Sequence, residues 1–275
     1  MLKDITLGQY FPGKSVIHKL DPRIKLILTV LFIVLIFTSK NIYSFSLVIV
    51  SVVCLVLMSG ISLKIVFKSI KPILILMLFT AVINLFWTKG EGEPLVSWWI
   101  INIWKQGIIN ALFMVFRIVS LVTGTSILLT YTTSPIALTD ALERLMKPLK
   151  ALRVPVHEFA MMMTIALRFI PTLLEETDKI INAQKARGAA FDRGNLIEKV
   201  KAFVPILIPL FISAFRRADD LACAMECRCY RGDEGRTRMK ILKMTSVDFV
   251  AVFVFIAFAC IVFYCNSFDT SFAVR

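Results

Sequence analysis

Lys201-Ala-Phe-Val-Pro205-Ile-Leu-Ile-Pro209-Leu-Phe-Ile-Ser-Ala-Phe215-Arg216 is the stretch on which the architecture turns. Residues 203–215 form an uncharged run of 13, closed by Lys201 and Arg216. A membrane-crossing helix needs about 20 mostly apolar residues, at about 1.5 Å each, to cover about 30 Å of hydrocarbon. This run is too short, and that length is more often a buried or interfacial helix. The preceding apolar run, 156–171, carries His157, Glu158 and Arg168. Counting both as crossings gives seven spans. Reading them as kinked helices against the inner membrane surface gives five spans and one large insert, and the charges favour the second reading.

Working outward, five segments qualify as spans: 24–39, 42–59, 72–87, 107–131 and 247–264. The first and third are short, so Lys25, Lys71 and Trp87 are expected to help by snorkelling or interfacial anchoring. The expected fold class is an all-α membrane protein with about five transmembrane helices. A cytoplasmic three-helix insert lies between the fourth and fifth. The expected divisions are a membrane bundle at 1–131, the insert at 132–243 and a final span at 244–275. Composition agrees: 57% of the 275 residues are hydrophobic and 19% charged, with mean hydropathy +0.77. Soluble domains are closer to a quarter charged, so an ordinary soluble, a disordered or a collagen-like chain is excluded.

The net charge is +13. In a soluble protein that excess would suggest nucleic acid; in an apolar chain it marks loops held on one side of a membrane. Lys and Arg number five in the N-terminal segment, counting Lys25 at the start of the first span, one in the first turn (Lys40) and three in the next connection (Lys64, Lys68, Lys71). Two follow (Lys89, Lys105), then nineteen in 132–243 and one (Arg275) in the tail. Rich and poor connections alternate, which gives a cytoplasmic N-terminus and an extracellular C-terminus. The insert also holds thirteen acidic residues, so it reads as a docking module and not as a surface for nucleic acid.

Within the insert, apolar residues keep a helical period. Leu138, Leu142, Leu145, Leu149 and Leu152 form one stripe; Phe159, Met163, Ala166, Phe169 and Leu173 begin a second. Leu196, Val200, Phe203, Leu207 and Leu210 begin a third. Steps alternating three and four are one face of a helix and resemble a coiled-coil seam. Three helices are expected, over 135–152, 156–187 and 196–231. Pro148 and Pro155 mark the first break, and Gly188 and Gly194 the second; Pro171, Pro205 and Pro209 fall inside the longer helices.

Four features invite a chemical reading. Gly8-Gln-Tyr-Phe-Pro-Gly13-Lys14-Ser15 matches the phosphate-loop pattern. That loop works only between a core strand and a helix, and seven residues before it are too few for a β-α-β unit. It is read as coincidental, with no nucleotide bound by this chain. Cys223, Cys227 and Cys229 lack a fourth ligand at zinc-like spacing, so no metal is expected. No cofactor and no catalytic constellation is expected either, so the chain is read as not itself an enzyme. Arg117 lies near the middle of the fourth span, where a charge is expensive and a functional residue by default; Asn84 and Asn110 are possible neighbours. Finally, two insert helices close on arginine: Ala186-Arg187-Gly188 and Cys227-Arg228-Cys229, the second followed by Gly232. A basic residue in a last turn complements the helix dipole, and glycine caps it. That explains Arg187 fully and Arg228 less well. Paired arginine pegs for acidic grooves on a partner are the competing reading, because the guanidinium is a rigid five-donor fork.

These residues resemble a known family. The opening from Gly8 to Lys25, Val154-Pro-Val-His-Glu158, Thr164-Ile-Ala-Leu-Arg-Phe-Ile-Pro-Thr172 and the Ala-Arg-Gly-type motif at Ala186 are similar to the transmembrane T subunit of energy-coupling-factor transporters. These are ABC importers of vitamins and other micronutrients. The second motif keeps only Arg228 of the pattern. The resemblance implies two ATPase subunits, each taking one arginine in a groove, and a small substrate-binding S subunit in the membrane, one of several in exchange where the T subunit is shared. It implies that this chain neither hydrolyses ATP nor selects the substrate. A T subunit dedicated to cobalt or nickel is the near alternative within the class, and a self-contained channel or carrier the alternative outside it.

Overall fold

Asp21-Pro22 starts the first long helix for a local reason. The Asp21 carboxylate accepts from the Arg23 amide at 2.9 Å, and Pro22 occupies the first helical position, where its missing N–H is no loss. The computed structural model describes residues 10–88, 96–98, 101–189, 196–232 and 242–267. Gly8, Gly194 and the loop bearing Lys89 lie outside them.

In chain order the helices are α1 (Val16–Lys19), α2 (Pro22–Thr38), α3 (Ile42–Ser59), α4 (Leu63–Ile70), α5 (Leu74–Trp87) and α6 (Lys105–Thr125). They continue with α7 (Pro135–Leu145), α8 (Val156–Ala186), α9 (Leu196–Cys227) and α10 (Ser246–Asn266). A short antiparallel ribbon, Val96–Trp98 with Ile101–Ile103, stands between α5 and α6 and is the one departure from helix among the described elements. The fold is that of an all-α membrane protein.

Four helical stretches among the described residues are long and apolar enough to cross a membrane: Ile42–Ser59, Leu63–Trp87, Lys105–Tyr131 and Ser246–Asn266. Three details of the five expected spans differ. α2 has 17 residues, about 25 Å of helix, one residue fewer than α3, and is kept as the short first crossing. The third span begins at Leu63 and not at 72, because α4, a 3-10 turn over Lys71–Ile73 and α5 run on without a break. Lys64 and Lys68 therefore ride on the first turns of a helix and are not in a loop. The fourth span ends in a π-helical segment, Ser126–Tyr131. Neither α8 nor α9 is among the four.

The chain divides into two units. The membrane unit holds residues 10–141 and 242–267; the second holds 142–189 and 196–232. In the membrane unit, Phe32, Leu35 and Ile36 of α2 pack with Val48 and Val52 of α3 and Val262 of α10. Phe45 of α3 meets Phe113 of α6 edge-on at 5.1 Å. Lipid is as apolar as these side chains, so what they gain between helices is close packing, not removal from water.

In the second unit, α8 has 31 residues and α9 has 32, close to the expected 156–187 and 196–231. Pro171, Pro205 and Pro209 lie inside them, as expected. The first insert helix is shorter than expected. α7 ends at Leu145, and a 3-10 turn over Lys147–Leu152 follows, because Pro148 cannot continue an α-helical ladder.

Candidate functional site

The ends of α8 and α9 are built alike. At the end of α8, Arg187 is the C-cap, and Gly188 follows in the left-handed region with φ +87°. The Gly188 amide donates to the Lys185 carbonyl, and the Ala189 amide to the Gln184 carbonyl, both at 3.0 Å. These two bonds define a Schellman cap. At the end of α9, Cys229 holds the same left-handed place with φ +55°. Its amide donates to Glu226 at 2.8 Å, and the Tyr230 amide donates to Met225 at 3.1 Å. The two cap bonds correspond residue for residue. Arg228 is thus the C-cap of α9, as Arg187 is of α8.

This corrects the expected end of the third insert helix at 231, under Gly232. The helix stops at Cys227, and a cysteine takes the position that glycine fills in α8. A side chain in the left-handed region costs about 1–2 kcal/mol, which is why the sequence hid this cap. Ala186, Arg187, Gly188, Cys227, Arg228 and Cys229 are all exposed, and neither arginine makes an ion pair among the described residues. Each guanidinium extends from the negative end of a helix of more than thirty residues. The pair offers two rigid, bidentate donors for carboxylates on another molecule.

A polar link missed by the sequence reading holds α8 to α9. Glu176 accepts from the Ser213 hydroxyl at 3.0 Å and pairs with the Arg217 guanidinium. Nearer the end of α8, the Gln184 side-chain amide donates to the Pro205 carbonyl at 3.5 Å. Pro209 has no N–H, so that carbonyl lacks its usual helical partner. A Glu and an Arg beside facing apolar stripes were the available signal.

Arg117 does not stand alone in mid-membrane. Its guanidinium donates to the Ser39 carbonyl at 3.0 Å and lies 5.9 Å from the centre of the Phe45 ring. It thus serves the turn between α2 and α3. Asn84, one expected neighbour, instead donates to Thr80 in its own helix. The same end of the unit is tied by Asn266, whose amide donates to the Thr38 carbonyl at 3.0 Å and whose carbonyl groups accept from Lys40 and Asn41.

Lys25 is the larger surprise. It was expected to snorkel, yet it is only 1% exposed. Its ammonium donates to the Thr132 carbonyl at 2.8 Å and lies within hydrogen-bond reach of the Thr133 hydroxyl and the His18 carbonyl. Beside it, Asp248 accepts from the Asp21 amide at 2.8 Å and from the Thr245 amide and hydroxyl at 2.7 and 2.8 Å. The starts of α2 and α10 and the end of the fourth span are thereby joined. The phosphate-loop-like motif belongs to this end. Ser15 caps the four-residue α1 and meets His18, and a Cβ on Gly13 would stand 2.6 Å from the His18 ring. Cys223, Cys227 and Cys229 are exposed thiols.

These features define a multi-pass helical membrane protein that carries a second unit with two arginine-capped helix ends. Residues 13–240 match the CbiQ family, described as cobalt transport protein. An energy-coupling factor transporter transmembrane protein of Clostridium kluyveri is 54% identical over 261 residues, covering 95% of this chain and 96% of that protein. Those of Thermosediminibacter oceani (53% over 254 residues, 91% and 93% covered) and Macrococcus caseolyticus (43% over 264 residues, 96% and 99% covered) are likewise similar. The chain belongs to this family of energy-coupling factor transporter transmembrane proteins.

Proposed function

We propose that this chain is the coupling scaffold of an energy-coupling-factor ABC importer. Arg187 and Arg228 each enter an acidic groove on one of two ATPase subunits, and the membrane-side helices hold a substrate-binding S component. ATP hydrolysis then belongs to the ATPases and substrate choice to the S component. With α2 taken as a fifth crossing, the alternation of basic residues at the span ends puts the N-terminus in the cytoplasm and the C-terminus outside. One observation carries the reading: two long helices of one unit end in the same cap with an exposed arginine at the same position. A lone functional arginine would not need a duplicate, and a self-contained carrier would need charged or broken-helix features at mid-membrane. Arg117 was the candidate for such a feature, and its guanidinium is engaged by the α2–α3 turn.

The test is mild-detergent purification of the tagged chain from its native membrane, with identification of the chains that accompany it. Two ATPase chains and a small hydrophobic protein are expected. A chain that purifies alone would contradict the reading. The family description as cobalt transport protein favours a second version, a scaffold dedicated to one metal-ion system. The same purification separates the two: several hydrophobic partners mark a shared scaffold, and a single partner with metal-loaded cargo marks a dedicated one.

A further inference from the structure

One face of the membrane unit carries an apolar groove of about 460 Å³ between α2, α3 and α10, with α1 across one end. Its walls run from Met58 back to Leu47 on α3 and from Val247 to Phe258 on α10, with Leu28 and Phe32 of α2 between them and Leu20, the C-cap of α1, at one end. α3 and α10 each follow the groove for about 16 Å at 1.5 Å per residue. That is close to one leaflet of a bilayer whose hydrocarbon is about 30 Å thick. The lining is almost all carbon. Of its polar residues, Ser51 spends its hydroxyl on the Val48 carbonyl at 2.7 Å, and Cys54 offers only a thiol.

The closed end is charged. Val16 and Ile17 of α1 line it, Lys19 lies in the same short helix, and Lys14 just precedes the Ser15 cap. Lys14, Lys19 and Lys243 are exposed. The acidic groups at this end, Asp21 and Asp248, are buried and already accept backbone amides. Among the described residues, these lysines therefore make no ion pair at the α1 end of an apolar channel about one leaflet deep.

We propose that this groove binds one anionic phospholipid, with an acyl chain along α2, α3 and α10 and the phosphate at Lys14 and Lys19. A zwitterionic lipid would fill the channel equally well but would set its own cation beside the lysines. The match of groove length to a leaflet and the sign of the charge at one end select the anionic lipid. The bound lipid would hold α1 against the starts of α2 and α10.

Native mass spectrometry of the full chain in mild detergent, offered equal amounts of palmitoyl-oleoyl phosphatidylglycerol and phosphatidylcholine, tests this. One retained phosphatidylglycerol is expected, preferred on the order of tenfold. Lys14→Ala with Lys19→Ala is expected to bring the preference close to parity. Val254→Trp fills the groove from a position 59% exposed, which has room for a larger side chain. It is expected to remove retention of both lipids while leaving the melting temperature in lipid-free detergent unchanged. Equal retention of the two lipids by the unaltered chain would overturn the proposal. So would unchanged phosphatidylglycerol retention in Val254→Trp, or loss of a hydrophobic protein partner in that variant with the lipid count intact. ATPase retention is unaffected in every arm, so failure here is distinct from failure of the coupling reading.

Discussion

The two units are held by opposite means. The membrane unit closes on itself through hydrogen-bonded polar groups: buried Lys25, Asp21 and Asp248 at one end, and buried Asn41 with half-buried Asn266 at the other. Along the second unit, the long α8 buries only Val156 and Ala160. Phe159, Met162, Phe203, Phe211 and Phe215 are exposed on α8 and α9. A large exposed apolar surface marks a place where another molecule sits. One unit is thus locked from within by polar groups, and the other leaves most of its long helices' apolar side chains open.

The contrast is easiest to break at Lys25. Lys25→Ala strips the Thr132 carbonyl of its donor and leaves a void where an ammonium was held. A loss of about 3 kcal/mol is expected, read as a fall in the thermal midpoint of the detergent-purified chain. Lys25→Met, which keeps the stem, is expected to fall less. If Lys25→Ala melts where the unaltered chain does, the membrane unit is not locked as described.

A smaller effect compares the two caps. Cys229→Gly relieves a left-handed side chain and is expected to stabilise the end of α9 by about 1 kcal/mol. Gly188→Ala should weaken the end of α8 by a similar amount, about 1 kcal/mol. Hydrogen exchange of the last-turn amides reads both. Identical changes in the same direction at the two sites would contradict the equivalence of the caps.

The smallest effect concerns Glu176 and Arg217. Their side chains are 23% and 30% exposed, so screening keeps the pair weak. A double-mutant cycle with alanine at each is expected to give a coupling of about 0.5–1 kcal/mol. A markedly larger value would show that the second unit, too, depends on an internal lock.

Much of this could be read from the residues. α3, α6 and α10 declare themselves by length and apolarity, and α8 and α9 by period. The start of the third span did not, because Lys64 and Lys68 look like a loop until Leu63–Ile70 is seen as helix. Lys25 was misread because a charge near a span end is ordinarily a snorkelling one; its inward turn depends on Thr132, which is distant in sequence. Arg117 looked central by residue count, but its long side chain reaches the Ser39 carbonyl. The arginine pair was visible as a motif, yet the end of α9 was not, since nothing in Cys-Arg-Cys announces a left-handed residue.

The central claim is that Arg187 and Arg228 are equivalent pegs for two ATPase subunits. It is tested most directly by quantifying the ATPase chains that stay with the tagged protein after membrane purification of Arg187→Glu, Arg228→Glu and the double variant. With both charges reversed, the chain is expected to remain in the membrane and to retain no ATPase, each single change having weakened retention. Full retention of both ATPases by the double variant would contradict the account.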